Sequence, residues 1–218
     1  MTHHRFRLVW ATLLLLLLLY PFIRHFELTS LQMVSNGIIT LILISSIHAV
    51  SDNRRHLWLS LVMIAPAIFV SWAGEFYPAQ TLQLTAPVFL VVAFGFVAYH
   101  ILRFALQAGS VDATKVDAAI CVYLLIGVIW QNFYMLVDSF IPGSFENVQL
   151  TGGDFLYFSY ITLSTLGYGD ITPLNGPAQA LAYTEAIIGQ LYLTILVARL
   201  VGLHIAYSGP ECSDDSSK

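Results

Sequence analysis

The residues of this chain that could perform side-chain chemistry are few and far apart. Seven histidines, His3, His4, His25, His48, His56, His100 and His204, are scattered without metal-ligand spacing and without a serine or cysteine partner. Cys121 lies in an apolar run and Cys212 in a polar tail, and neither has the spaced partner that a disulfide framework or zinc site needs. An enzyme, an organic cofactor and a resident metal are therefore not expected, and neither is a nucleic-acid partner. What stands out instead is one run, Asp154-Phe-Leu-Tyr-Phe-Ser-Tyr-Ile-Thr-Leu-Ser-Thr-Leu-Gly-Tyr-Gly-Asp-Ile-Thr-Pro173. It starts like a helix, with Gly152 and Gly153 breaking the loop before it and the acid Asp154 at its beginning. After the helix-like part come Gly167 and Gly169, which open backbone angles closed to other residues.

The elements around that run belong to a membrane. The 218 residues are 57% hydrophobic and only 10% charged, against roughly 25% charged in soluble domains. Apolar runs of spanning length lie at 8 to 23, 31 to 50, 57 to 73, 84 to 107, 117 to 140 and 178 to 206. Residues 154 to 165 are helix-like but too short to cross, as in a re-entrant helix. The leucine-rich first run behind Arg5 and Arg7 also has the look of a signal peptide, but Pro21 to Leu28 lacks a small-residue cleavage pattern, which favours a retained helix.

With the N-terminus in the cytoplasm, Arg5, Arg7, Arg54, Arg55, Arg103, Lys115, Arg199 and Lys218 fall inside and Arg24 alone outside. Both termini are then cytoplasmic. Glu27, Glu75, Asp138, Glu146, Asp154 and Asp170 gather on the other side, either to draw cations to an outer mouth or as ordinary solvated loop charge.

The stretch Thr165-Leu-Gly-Tyr-Gly-Asp170, set between the fifth and sixth runs, resembles the potassium-channel signature. Residues 185 to 199, Glu-Ala-Ile-Ile-Gly-Gln-Leu-Tyr-Leu-Thr-Ile-Leu-Val-Ala-Arg, resemble the inner helix of small bacterial six-transmembrane potassium channels. The likeness covers residues 154 to 206 and is only architectural before them.

It implies an all-α membrane protein of six transmembrane helices plus a re-entrant pore helix and an extended filter, assembled as a fourfold homotetramer in the lipid bilayer of a cell membrane. The implied function is passive, selective conduction of K+, the transported ion, through rings of backbone carbonyls. A poorly selective cation channel and a non-conducting modulatory subunit are the alternatives. The K+ sites would fall on Thr165, Leu166, Gly167, Tyr168 and Gly169, with the Thr165 hydroxyl innermost and Asp170 at the outer mouth. Tyr168 would point away from the axis toward pore-helix aromatics, for which Tyr157, Phe158 and Tyr160 are candidates, unless these rings only fill the core.

The same resemblance divides the chain into four helices over 1–107, a linker at 108–116, a pore domain at 117–206 and a short cytoplasmic tail at 207–218. Within the pore domain lie a pore helix at 154–165, a filter at 165–170 and an inner helix at 178–206, which at ~1.5 Å per residue reaches ~43 Å against a ~30 Å hydrocarbon core. Gln190, Leu193 and Val197 would line a cavity. Gly189, and after it Gly202, are hinge or gate positions unless they merely allow helix contact. Glu185 would bond to the back of the pore helix or serve the ion path.

Several features depart from relatives. The fourth run holds one arginine, Arg103, plus His100. One charge from each of four subunits yields ~9 kcal/mol per 100 mV, about a third of what ~12 to 16 gating charges supply, so steep voltage gating is not expected. Ile161 stands where some relatives carry a pore-helix glutamate, so inactivation through a carboxylate pair is not expected either. The tail after the last run is too short for a folded sensor domain, leaving a gating ligand or lipid unspecified. Pro66 and Pro87 are candidate kinks, and Arg54 and Arg55 a candidate lipid contact, though packing and topology explain them equally.

Overall fold

A computed structural model describes residues 5–25, 31–50, 54–77, 80–107, 112–147 and 152–207. Its chain order is α1 (Arg5–His25), α2 (Leu31–Val50), α3 (Arg54–Phe76), α4 (Gln80–Ala105), α5 (Ala113–Phe140), β1 (Phe145–Glu146), α6 (Gly152–Leu163), β2 (Thr172–Pro173) and α7 (Gly176–Tyr207). Residues 1–4, Glu27, the linker residues 108–111, Cys212 and the tail from 208 onward lie outside the described residues.

Helix is the necessary outcome for long apolar runs in lipid, where only intrahelical bonds can satisfy the backbone. Among the described residues, four helical stretches are long and apolar enough to cross a membrane: Leu57–Phe76, Leu84–Ala105, Ala113–Phe140 and Gly176–Leu203. The apolar parts of α1 and α2, Phe6–Leu19 and Met33–Ile47, are shorter. Pro66 and Pro87 both lie inside unbroken helices.

Helix α4 packs against α3 and α5, while α1 packs against α2 and α5. Their shared core includes Leu13, Ile42, Ile64, Phe94, Val97 and Leu125, all buried. Arg7 of α1 pairs with Asp117 of α5 at 3.2 Å. Cys121 Sγ bonds the Phe6 carbonyl at 3.4 Å, which gives this buried thiol a place in helix packing rather than a reactive one.

A second buried cluster, Tyr134, Phe145, Phe155, Phe158, Ile161, Ile171 and Ala178, joins α5 to α6, α7 and the strands. The two strands pair antiparallel with Phe145 opposite Pro173 and Glu146 opposite Thr172. Pro173 is tolerated because a two-stranded ribbon consists of edges.

Helix boundaries differ from expectation where side chains cap the ends. The fifth helix starts at Ala113 rather than 117, because Asp112 caps it and accepts from Lys115 N at 3.1 Å. The last helix starts at Gly176 rather than 178, with Asn175 Oδ1 accepting from Ala178 N at 2.9 Å. The short helix runs from Gly152 to Leu163 instead of 154 to 165. Removing the α5 cap in Asp112→Ala should destabilise the protein by about 1 kcal/mol. Thermal unfolding in detergent, together with faster amide exchange at residues 113–116, would report that loss.

Candidate functional site

Helix α6 ends in a defined way. Thr165 N bonds the Thr162 carbonyl at 2.9 Å and Leu166 N reaches five residues back to the Ile161 carbonyl at 2.8 Å. These are the two bonds of a Schellman motif, in which the residue corresponding to Thr165 takes left-handed angles. Thr165 does so, with φ 59°. Glycine is the usual occupant there, and a β-branched residue is strained. Gly167 N also bonds the Ile161 carbonyl, at 3.1 Å, so one buried isoleucine anchors the start of the following segment.

That segment repeats the left-handed angle at every second residue, with φ 59° at Thr165, 55° at Gly167 and 76° at Gly169. An added Cβ at Gly167 or Gly169 would meet nothing within 4 Å. Backbone conformation, not space, is therefore what requires glycine at both positions. Residues 164 to 170 are all exposed on the single chain.

Asp170 closes the segment and is held from two sides. Tyr157 Oη donates to its carboxylate at 2.7 Å, and Asn147 Nδ2 donates to its carbonyl at 3.0 Å. Asn147 itself is left-handed, with φ 61°, a conformation asparagine tolerates better than most residues. Neither Asn147 nor the Schellman end of α6 was apparent from the sequence. The only hint is that an Asn seven residues before the acidic Asp154 sits in a loop.

The three aromatic candidates separate by face. Tyr157 alone approaches the filter-like segment. Phe158 packs edge-on to Tyr134 and Phe145, with centroids 4.9 and 5.5 Å away, and Tyr160 donates to the Leu124 carbonyl of α5 at 2.7 Å. Helical periodicity turns those two rings toward α5, where they fill the core of the single chain. Tyr168 is 68% exposed on this chain.

Helix α7 seats against this unit along one face. Trp130 Nε1 donates to the Leu181 carbonyl at 3.1 Å, and Tyr192 Oη donates to the Ala119 carbonyl at 2.7 Å. Glu185 is fully buried and meets Tyr134 Oη and, at 2.5 Å, Ser159 Oγ. Its bonding to the back of the short helix is as expected.

Gly189 lies where α7 comes close to α6, the helix-contact alternative. A Cβ there would lie 2.7 Å from the Leu163 carbonyl oxygen, so this glycine lets α7 touch the end of α6 within an unbroken helix. Gly202 has nothing within 4 Å. Gln190, Leu193 and Val197 share an exposed face of α7, with Leu193 37% and Val197 57% exposed.

At the other end of the bundle Arg199 donates to the Leu106 carbonyl, and Lys115 Nζ donates to the Gln107 carbonyl at 3.1 Å. His100 rests between Phe96 and Tyr99, at 4.5 and 5.5 Å between ring centroids. Among the described residues no three His, Cys, Asp or Glu side chains are grouped to hold a metal ion.

The ion-channel family model matches residues 118–204. Two pore potassium channel a of Oryza sativa subsp. japonica is 35% identical over 79 residues, covering 36% of this chain and 21% of the relative. Two-pore potassium channel 4 of Arabidopsis thaliana is 36% identical over 80 residues, covering 37% and 26%. Protein LctB of Bacillus caldotenax is 42% identical over 48 residues, covering 22% and 35%. The chain thus spans between a fifth and about a third of these curated relatives. No solved structure matches. The matches support a potassium-channel family and indicate a channel, not an enzyme.

Gly189→Ala should lower the unfolding midpoint by an amount equivalent to about 1–3 kcal/mol through overpacking against Leu163. Gly202→Ala, in open space within a helix, should leave it unchanged or raise it. Parallel thermal melts of the two variants would separate a contact glycine from a hinge.

Proposed function

We propose that this chain is one subunit of a homotetrameric channel that conducts K+ passively and selectively. The observation that carries the reading is the every-second-residue left-handed backbone at Thr165, Gly167 and Gly169. In an ordinary strand the pleat sends successive carbonyls to opposite sides. Inverting the handedness at alternate residues cancels that alternation and lets consecutive carbonyls face one way. Four such segments around an axis replace the hydration shell of an ion with rings of oxygen.

Exposure of residues 164–170 supports the fourfold assembly. Non-helical backbone at membrane depth is tolerated only when it is buried in protein or lines a water-filled space. A lone chain in lipid offers neither, whereas a ring of copies offers both. In that ring Thr165, Leu166, Gly167, Tyr168 and Gly169 form the ion sites, and Asp170 stands at the mouth. Gln190, Leu193 and Val197 line the space beneath.

Orientation with both termini in the cytoplasm of a cell-membrane protein follows the excess of basic residues on that side. It places Arg199 and Lys115 with the C-terminal end of α4, whose last turn carries Arg103. The four helices α1 to α4 then form a non-voltage-sensing unit, with one arginine, Arg103, in the last turn of α4.

Strain at Thr165 supports a role for its side chain. A glycine there would remove a left-handed cost of roughly 1–2 kcal/mol, so retaining threonine is explained if its hydroxyl completes the innermost ion site. The purified protein in planar bilayers, under opposed K+ and Na+ gradients, should reverse near the K+ equilibrium potential. Gly167→Ala should abolish that selective current while the tetramer still assembles. Thr165→Gly should retain or raise thermal stability yet weaken selectivity. Reversal near zero in the unmodified protein would overturn selective conduction.

A further inference from the structure

Helix α7 carries one fully buried acid, and its hydrogen-bond arithmetic is informative. Ser159 Oγ of α6 lies 2.8 Å from the Gly127 carbonyl of α5 and 2.5 Å from Glu185 Oε1. The hydroxyl of Tyr134, also of α5, meets Glu185 Oε2. All three side chains are fully buried. Serine has one hydrogen and a backbone carbonyl can only accept. Were that hydrogen given to Glu185, two lone-pair oxygens would face each other at 2.8 Å in a dry interior, which is unfavourable.

One assignment satisfies every contact. Tyr134 donates to one carboxyl oxygen of Glu185, the other carboxyl oxygen carries a proton and donates it to Ser159, and Ser159 donates to the Gly127 carbonyl. Each hydrogen has an acceptor, and no buried donor is left over.

We infer that Glu185, as the protonated acid at the centre of this chain of hydrogen bonds, is a positioning residue that fixes the seat of α6 between α5 and α7 and thereby the geometry of the segment that follows α6. This rests on the channel reading for its effect on ions. The neighbourhood shows how the seat transmits. Four residues beyond Glu185, on the same face of α7, Gly189 meets the Leu163 carbonyl at the last residue of α6. Two residues beyond Ser159, Ile161 provides the carbonyl that holds Leu166 and Gly167. The Tyr134 ring is itself fixed edge-on to Phe158 and Phe145, at 4.9 and 5.4 Å between centroids. The hydroxyl therefore has little freedom to follow a displaced acid. On the other side of α6, Gly127 permits the close approach, since a Cβ there would lie 2.7 Å from the Tyr160 ring.

An acid in a span is costly unless it is fully partnered. A role in simple packing would be met by leucine. The donor and acceptor pattern of a protonated glutamate is met by glutamine alone among the ordinary residues, because its amide can donate to Ser159 while its carbonyl accepts from Tyr134.

The test uses the full chain reconstituted in bilayers, with Glu185→Gln, Glu185→Ala, Tyr134→Phe and Ser159→Ala compared by reversal potential and by amide exchange of residues 160–167. Glu185→Ala, Tyr134→Phe and Ser159→Ala should each lower the K+ over Na+ permeability ratio, by about tenfold for the alanine at 185, equivalent to ~1.4 kcal/mol. The same three should speed exchange at the end of α6. Glu185→Gln should keep both properties near those of the unmodified protein. A carboxylic-acid carbonyl band in the infrared spectrum should disappear in Glu185→Gln.

Unchanged ratio and exchange in Tyr134→Phe and Ser159→Ala would overturn the positioning role even if Glu185→Ala does not assemble. A collapse in Glu185→Gln as deep as in Glu185→Ala, or no infrared band lost, would overturn the protonated assignment. An unmodified protein without selective current would refute the channel reading instead, while exchange and infrared readouts would still decide the seat of α6.

Discussion

The demand that every buried backbone group find a partner governs this structure. Between the end of α6 at Leu163 and the start of α7 at Gly176 the chain leaves helical geometry. The partners it loses are replaced at a few fixed points. Ile161 accepts from Leu166 and Gly167, Asn147 donates to the Asp170 carbonyl, and Leu174 N reaches the Ser144 carbonyl at 2.8 Å. Ser144 N in turn bonds the Asp138 carboxylate at 3.1 Å, and Asn175 joins Ser144 Oγ at 2.6 Å while capping α7. The short ribbon of β1 and β2 is thus a clasp that returns the chain to helix.

That solution works only if α6 is held, and α5 is the element that holds it. Buried residues of α5 contribute to both apolar clusters, so one helix joins the N-terminal four-helix unit to the segment after α6. The connection is supplemented at the opposite end, where Arg199 and Lys115 donate to carbonyls just past α4. Free carbonyls at a helix C-terminus attract cations. The contact therefore ties α4 both to its successor and to α7 through charge on the carbonyls just past its end.

How much of this is legible in sequence depends on whether the cause is local. The half-length helix, the long final helix and the glycine requirement at 167 and 169 follow from apolar length and backbone sterics within a few residues. The starts of α5 and α7 lie earlier than the apolar runs suggest because Asp112 and Asn175, short polar residues at the run edges, act as caps. The facing of Phe158 and Tyr160 depends on which side of α6 meets α5, a tertiary fact that the spacing of aromatics alone does not fix. Gly189 shows the same limit from another side. A glycine in a helix signals either freedom to bend or closeness to a neighbour, and only the position of Leu163 decides between them. Glu185 is visible as an anomaly, but Tyr134 and Ser159, 51 and 26 residues away, carry no local sign that they meet its carboxyl group.

Thr165 places two demands on one residue. As the end of α6 it occupies a left-handed position for which glycine is the comfortable choice, and as the start of the exposed segment it presents a hydroxyl that glycine would lack. A local conflict between backbone preference and side-chain identity persists when the surroundings over-determine the conformation. Here the two Schellman bonds and the further bond from Gly167 N to the Ile161 carbonyl supply that over-determination. The strain also explains why the support behind α6 is so extensive. A segment whose first residue is held against its own preference relaxes when its anchor moves, and the anchor is one turn of helix whose position is set by α5 and α7. The polar contacts of Ser159 and Glu185 and the close approach at Gly189 are therefore requirements of the same geometry that keeps threonine left-handed.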